Sequence, residues 1–165
     1  MSQETIFDVH LISGYVAWLL FFRAYALPKL ESMDLIAAQR AIATLHSFRF
    51  FGLAFIIPGV VGANLPPHFA VFAACGDFAT GVLALLALLT ARVRPLFLLF
   101  VLAFNLVGVA DLVLDYYHAA QAGLPAVAGE LGALYAIPIL YVPLLMITHV
   151  FSLYLLARNP LGVAA

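Results

Sequence analysis

The stretch Leu96–Tyr117, LFLLFVLAFNLVGVADLVLDYY, decides the fold. Its 22 residues carry only three strongly polar interruptions, Asn105, Asp111 and Asp115. As an α-helix rising about 1.5 Å per residue, it spans the roughly 30 Å of a bilayer's hydrocarbon core. The turn before it, Ala91-Arg-Val-Arg-Pro95, is short and basic. The same alternation of long apolar runs and brief polar breaks extends in both directions.

Two thirds of the 165 residues are hydrophobic (66%), 9% are charged, and mean hydropathy is +1.13. A soluble domain is about half apolar and about a quarter charged. A chain this short has too little interior to hide so much apolar surface from water. Lipid is therefore the expected solvent. The net charge of −1, with no basic run, gives no basis for nucleic-acid binding. Cys75 is the only cysteine, so neither an intrachain disulfide nor a Cys-based zinc site is expected, and no metal site is read from the sequence. Residues 1–8 hold Glu4 and Asp8 but no Lys or Arg, unlike the basic start of a signal peptide. The first apolar run is expected to be retained as a membrane helix.

Five spans are expected, at Ile6–Leu27, Ala43–Val61, Phe69–Thr90, Leu96–Tyr117 and Leu134–Leu156, in one all-α integral membrane domain over residues 1–165. Glu31–Arg40 is the most polar segment, where Ser32 or Asp34 can cap a short interfacial helix. Asn64-Leu-Pro-Pro67 reads as a turn, and Arg158-Asn-Pro160 closes the last span. The seven basic residues are Arg23, Lys29, Arg40, Arg49, Arg92, Arg94 and Arg158. With the N-terminus outside, all fall at or near the cytoplasmic side, as the positive-inside rule requires. This places the C-terminus in the cytoplasm and the protein, as a multi-pass chain, in a bacterial inner membrane.

Ionisable groups at membrane depth are costly and mark candidate sites. His46 and Arg49 on span two, and His149 and Ser152 on span five, are each three apart and so share a face; both pairs read as lying in the inner half. His10, Asp77, Asp111, Asp115 and His118 read as outer. Phe104, Gly108, Asp111, Asp115 and His118 form one stripe, with Asn105 on another face. Histidines paired by depth, His46 with His149 and His10 with His118, suggest haem b ligation between helices; His10 and His118, near span ends, can instead hydrogen-bond water and need no cofactor. Arg49 cannot lose its charge. It either snorkels to the inner surface or pairs with an acid, and direct pairing with Asp77 or Asp111 requires a tilted helix or an intervening water. Asp77 and Asp111 are expected to flank one polar pocket, where they either carry a proton or anchor a ligand, or simply hydrogen-bond neighbouring helices. Pro58, Pro138 and Pro143 kink their helices, which either fits curved helices together or opens a cavity for a flat hydrophobic ligand such as a quinone. Gly52 and Gly59 suggest a close-contact seam. Aromatic residues gather near span ends as anchors, with Trp18 the mid-span exception.

The run Arg49-Phe-Phe-Gly-Leu-Ala-Phe-Ile-Ile-Pro-Gly59, then Leu65-Pro-Pro-His-Phe-Ala70 and Gly76-Asp-Phe-Ala-Thr-Gly81, resembles the DoxX-like membrane family. That family shows an Arg-led helix, a proline-containing turn and an acid followed by Gly on the next helix, its acid usually being Glu where Asp77 stands here. The resemblance covers spans two to five. It implies a four-helix bundle with a further helix in front, of a kind sometimes associated with quinone-linked sulfur oxidation.

The size, the very short loops and the lack of a soluble domain point to an accessory subunit or binding module beside a membrane redox or energy-transducing complex. Expected partners are the lipid bilayer, other membrane subunits or a second copy, and a hydrophobic small molecule. The alternative is a haem- or quinone-binding electron-transfer protein using the four histidines. A transporter is less well matched, because five spans make no simple inverted repeat.

Overall fold

The computed structural model describes residues 1–158; the Asn159-Pro160 stop expected after the last helix lies outside them. Helices account for nearly all of these residues, and no strand occurs among them. Helix α1 spans Gln3–Glu31, α2 Leu35–Ser47, α3 Pro67–Leu89, α4 Arg94–Gln121 and α5 Ile137–Arg158. A 3-10 segment, Phe48–Ile56, follows α2, and a run of 3-10 turns interrupted at Val127 and Gly132, Leu124–Tyr135, follows α4.

Four of these helices, α1, α3, α4 and α5, are long and apolar enough to cross a membrane, which corrects the sequence expectation of five. The second expected span is two pieces. Asp34 caps α2 by accepting from the Ala37 N–H at 2.9 Å, so the helix starts eight residues before Ala43. At Phe48 it tightens into a 3-10 helix, whose three residues per turn align every third side chain. Arg49, Gly52 and Phe55 are accordingly buried in one column, while Phe48 and Phe51 face outward.

Ser2 caps α1, accepting from the Thr5 N–H at 3.1 Å. This helix does not stop at Pro28. Proline has no N–H for the carbonyl four residues back, and its ring collides with that carbonyl. A π turn at Phe22–Ala26, closed by the Leu27 N–H on the Phe22 carbonyl, widens the helix just ahead of it. The same device recurs in α5: a π turn at Ile137–Tyr141, the Val142 N–H on the Ile137 carbonyl, then Pro143. Two prolines thus leave two bulges but no break.

Two apolar clusters divide the interior. One joins Phe7, Phe55, Phe69, Leu124 and Leu131; the other joins Ile42, Ala87, Phe97, Phe151 and Leu155. The first lies at the end where the Gly62 N–H donates to the Glu130 carbonyl at 2.7 Å and the Asn64 N–H donates to Glu130 Oε2 at 3.0 Å. The second lies at the opposite end, where Leu30, Leu35, Ala91 and Leu156 pack together. The segment Leu35–Ile56 therefore runs from one end to the other. Helix α1 sits at the rim, exposing Leu19, Leu20 and Phe21. It is held by a Tyr15–Tyr116 hydroxyl pair at 2.7 Å and by His10 Nδ1 against the Tyr135 hydroxyl at 2.9 Å.

A buried arginine centre between the two clusters

Between the two apolar clusters lies a layer of polar side chains with almost no solvent contact. Its middle is Arg49, 0% exposed. Arg49 Nε donates to Asp77 Oδ1 at 2.6 Å, and Nη2 lies 2.6 Å from the same oxygen. Nη2 also donates to Asp111 Oδ2. Nη1 meets His149 Nε2 at 3.3 Å. An arginine in a bundle interior is tolerable only when its donors are engaged, and here each nitrogen has an acceptor. Arg49 does not snorkel.

Glycines make this possible. A Cβ at Gly52 would overlap Asp77, one at Gly76 would overlap Asp111, and one at Gly108 would overlap His149. Small residues let membrane helices approach closely; at these positions they also vacate the volume the charged groups fill.

From His149 the layer continues in one direction. His149 Nδ1 bonds Asn105 Oδ1 at 2.9 Å, Asn105 Nδ2 donates to Ser152 Oγ at 2.7 Å, and Ser152 Oγ donates to Gln39 Oε1 at 2.6 Å. Asn105, expected on a different face from Asp111, lies with it and Gly108 on the buried side of α4. The expected split into an inner His–Arg–His group and an outer His–Asp group is likewise corrected: Arg49, His149, Asp77 and Asp111 form one continuous centre. Gln39, Thr148 and Ser152 belong to it too. Gln39 went unrecognised because it stands in the most polar stretch of the chain, which reads as interfacial.

A family model described as a domain of unknown function (DUF8737) matches residues 6–157. The chain belongs to that family. No curated protein and no solved structure matches it. The matched region of this DUF8737 member holds every residue of the arginine centre.

The four histidines fall in three environments. His46 and His149 do come together, but as a stack with ring centroids 3.8 Å apart. Their Nε2 atoms are engaged by Thr148 Oγ1 at 3.1 Å and by Arg49. A haem between them requires the rings to separate and both nitrogens to be released, so the side chains as folded do not fit that group. His10 bonds Tyr135. His118 packs on Phe72, with ring centroids at 4.5 Å. No ring contact joins His10 to His118 among the described residues.

A cavity of about 190 Å³ reaches the centre from the Glu130 end. Phe7, Phe55 and Ile137 supply apolar wall; Asp8, Asp77 and Asp115 supply carboxylates. Asp77 is shared between cavity and ion pair. Asp111 Oδ1 and Asp115 Oδ1 are buried without a hydrogen-bond partner. Ile137 also walls a larger groove of about 540 Å³ lined by Trp18, Phe48, Phe51 and Tyr141, which is where the mid-span tryptophan sits.

Proposed function

We propose that this DUF8737 protein is an integral membrane accessory subunit or binding module of a redox or energy-transducing complex, and that it takes the head group of a quinol at its arginine centre. The observation that carries this reading is Asp77, which pairs with the fully buried Arg49 and also lines the cavity. Asp77 shares the one guanidinium with Asp111, and Asp115 Oδ1 has no hydrogen-bond partner, so the cavity floor offers an unsatisfied acceptor. A quinol head is flat, apolar and supplies two hydroxyl donors, the complement of a floor built from Asp77 and Asp115. The cavity volume is below the roughly 300–1,000 Å³ of ordinary ligand pockets, which suits a single ring with its isoprenoid tail left in the adjoining groove. The resemblance to DoxX-like proteins supports the same reading, since Arg49 and the Gly76-Asp77 pair that carry it are constituents of the centre.

The orientation read from the sequence, N-terminus outside and C-terminus in the cytoplasm of a bacterial inner membrane, is part of this proposal. Arg49 leaves the charge count because it sits in the core. The six remaining basic residues still favour the Leu30–Leu35 end as cytoplasmic. The segment Leu35–Ile56, with Gln39, His46 and Arg49 buried against its neighbours, then carries the chain across.

The test is purification in a gentle detergent, followed by solvent extraction and mass spectrometry of both lipids and proteins. Wild type is expected to retain a quinone and a second membrane protein in near-stoichiometric amount, and Asp77→Asn to lose the quinone. A chain recovered alone, with quinone no higher than in bulk lipid, would overturn the reading.

A further inference from the structure

The polar layer has a direction, and main-chain carbonyls fix it. Carbonyls only accept. Gln39 Nε2 donates to the Ser152 carbonyl at 2.9 Å, and Asn105 Nδ2 donates to the Val101 carbonyl at 2.7 Å. Each amide is thereby locked in one orientation, with its oxygen toward the next member of the chain. Gln39 Oε1 receives the Ser152 hydroxyl proton, and Ser152 Oγ receives the second Asn105 N–H. Asn105 Oδ1 is then an acceptor facing His149 Nδ1 at 2.9 Å, so Nδ1 carries the proton. On the far side of the ring, His149 Nε2 faces Arg49 Nη1, and a guanidinium has donors only. A ring that donates at Nδ1 and accepts at Nε2 is neutral.

The same reasoning gives His46 the opposite form. The Thr148 hydroxyl proton is directed at the carbonyls of Leu144 and Leu145, 2.9 and 3.0 Å away. Its oxygen is left to accept, so His46 Nε2, at 3.1 Å, is the donor. His46 Nδ1, buried without a partner, carries a bare lone pair.

We propose that the stacked pair His46 and His149 is held as two opposite neutral tautomers, and that His149 is a positioning residue whose Nε2 lone pair holds the Arg49 guanidinium in place. The chain Gln39–Ser152–Asn105, drawn from α2, α5 and α4, sets the tautomer of His149. This assignment stands without the quinol reading, because it follows from donor and acceptor directions alone.

The experiment is long-range ¹H–¹⁵N correlation spectroscopy on the full chain with ¹⁵N-labelled histidine and arginine, in detergent at neutral pH. His10, His68 and His118 are replaced by Gln so that only the stacked pair remains. One ring protonated at Nδ1 and one protonated at Nε2 is the expected result. Two rings of the same tautomer, or an imidazolium pattern for either, would overturn the proposal; the same readings taken on wild type serve if the triple variant does not fold. Positioning is read separately. Asn105→Asp, which still accepts from Nδ1–H, is expected to keep the hydrogen-bonded Nδ1 proton resonance and the resolved Arg49 Nη resonances. Asn105→Leu is expected to lose the first and collapse the second. Arg49 resonances unmoved in Asn105→Leu would remove the positioning role.

Discussion

Gly76 lies directly against the carboxylate of Asp111, so that a Cβ added at position 76 would fall on Oδ1. The acid that completes the arginine centre occupies space that any other residue on α3 would take. Gly76→Ala should therefore destabilise the bundle by about 1–3 kcal/mol, the range for overpacking a close-packed interior. The check is far-UV circular dichroism during unfolding in mixed micelles. In the Asp111→Ala background the same Gly76→Ala change should cost less, because the obstructed group has gone. Equal costs in the two backgrounds would mean that Gly76 and Asp111 are not coupled.

Removing Arg49 has a different signature from removing both acids. Arg49→Leu leaves Asp77 and Asp111 buried without a cation, and breaking one side of a buried ion pair costs about 3–5 kcal/mol. Replacing the acids as well, in Arg49→Leu/Asp77→Asn/Asp111→Asn, should recover part of that loss. Arg49→Lys should behave more like Arg49→Leu than like wild type, since one ammonium cannot reach Asp77, Asp111 and His149 in three directions at once. Unfolding midpoints of the three variants distinguish these outcomes.

Helix α1 is fastened to α5 where α5 is irregular. Pro143 supplies no N–H for the Ile139 carbonyl, and Gly14 of α1 packs against that same carbonyl, with no room for a Cβ. Gly14→Val should push α1 away from the bundle and lengthen the Tyr15–Tyr116 contact, now 2.7 Å. The measurement is the distance between spin labels on cysteines at the exposed positions Val16 and Leu114, with Cys75 replaced by Ser. Gly14→Val should lengthen that distance, and an unchanged distance would show that α1 is held by other contacts.

The proposed orientation is tested with single cysteines in the Cys75→Ser background. A cysteine at Ser2 should react with a membrane-impermeant maleimide added to intact cells. One at Val93, between Arg92 and Arg94, should react only after the membrane is opened. The reverse pattern would invert the topology.

Hydropathy made α1, α3, α4 and α5 legible in the sequence, because each is a run long enough to outweigh its polar interruptions. The pairing of Arg49 with Asp77 and Asp111 was obscured by a misplaced helix start. Counted from Ala43, Arg49 stands one to two turns into the membrane; counted from the true start at Leu35, it lies about 20 Å along, at mid-depth. Gln39 and Arg40 lower the local hydropathy and hide those first turns. A further signal was present but has the wrong period for a helix search: Arg49, Gly52 and Phe55 recur every three residues, the repeat of a 3-10 helix. Cut-outs such as Gly108 against His149 were not legible, since they depend on which helices become neighbours.

The arginine centre also sets an order of events during synthesis. Asp77, Asp111 and His149 lie 28, 62 and 100 residues after Arg49, so the cation leaves the ribosome long before its counter-charges. Until α3 and α4 arrive, Arg49 has neither Asp77 nor Asp111 beside it, and the ring nitrogen of His149 comes only with α5. The centre is therefore complete only once the last helix has been made.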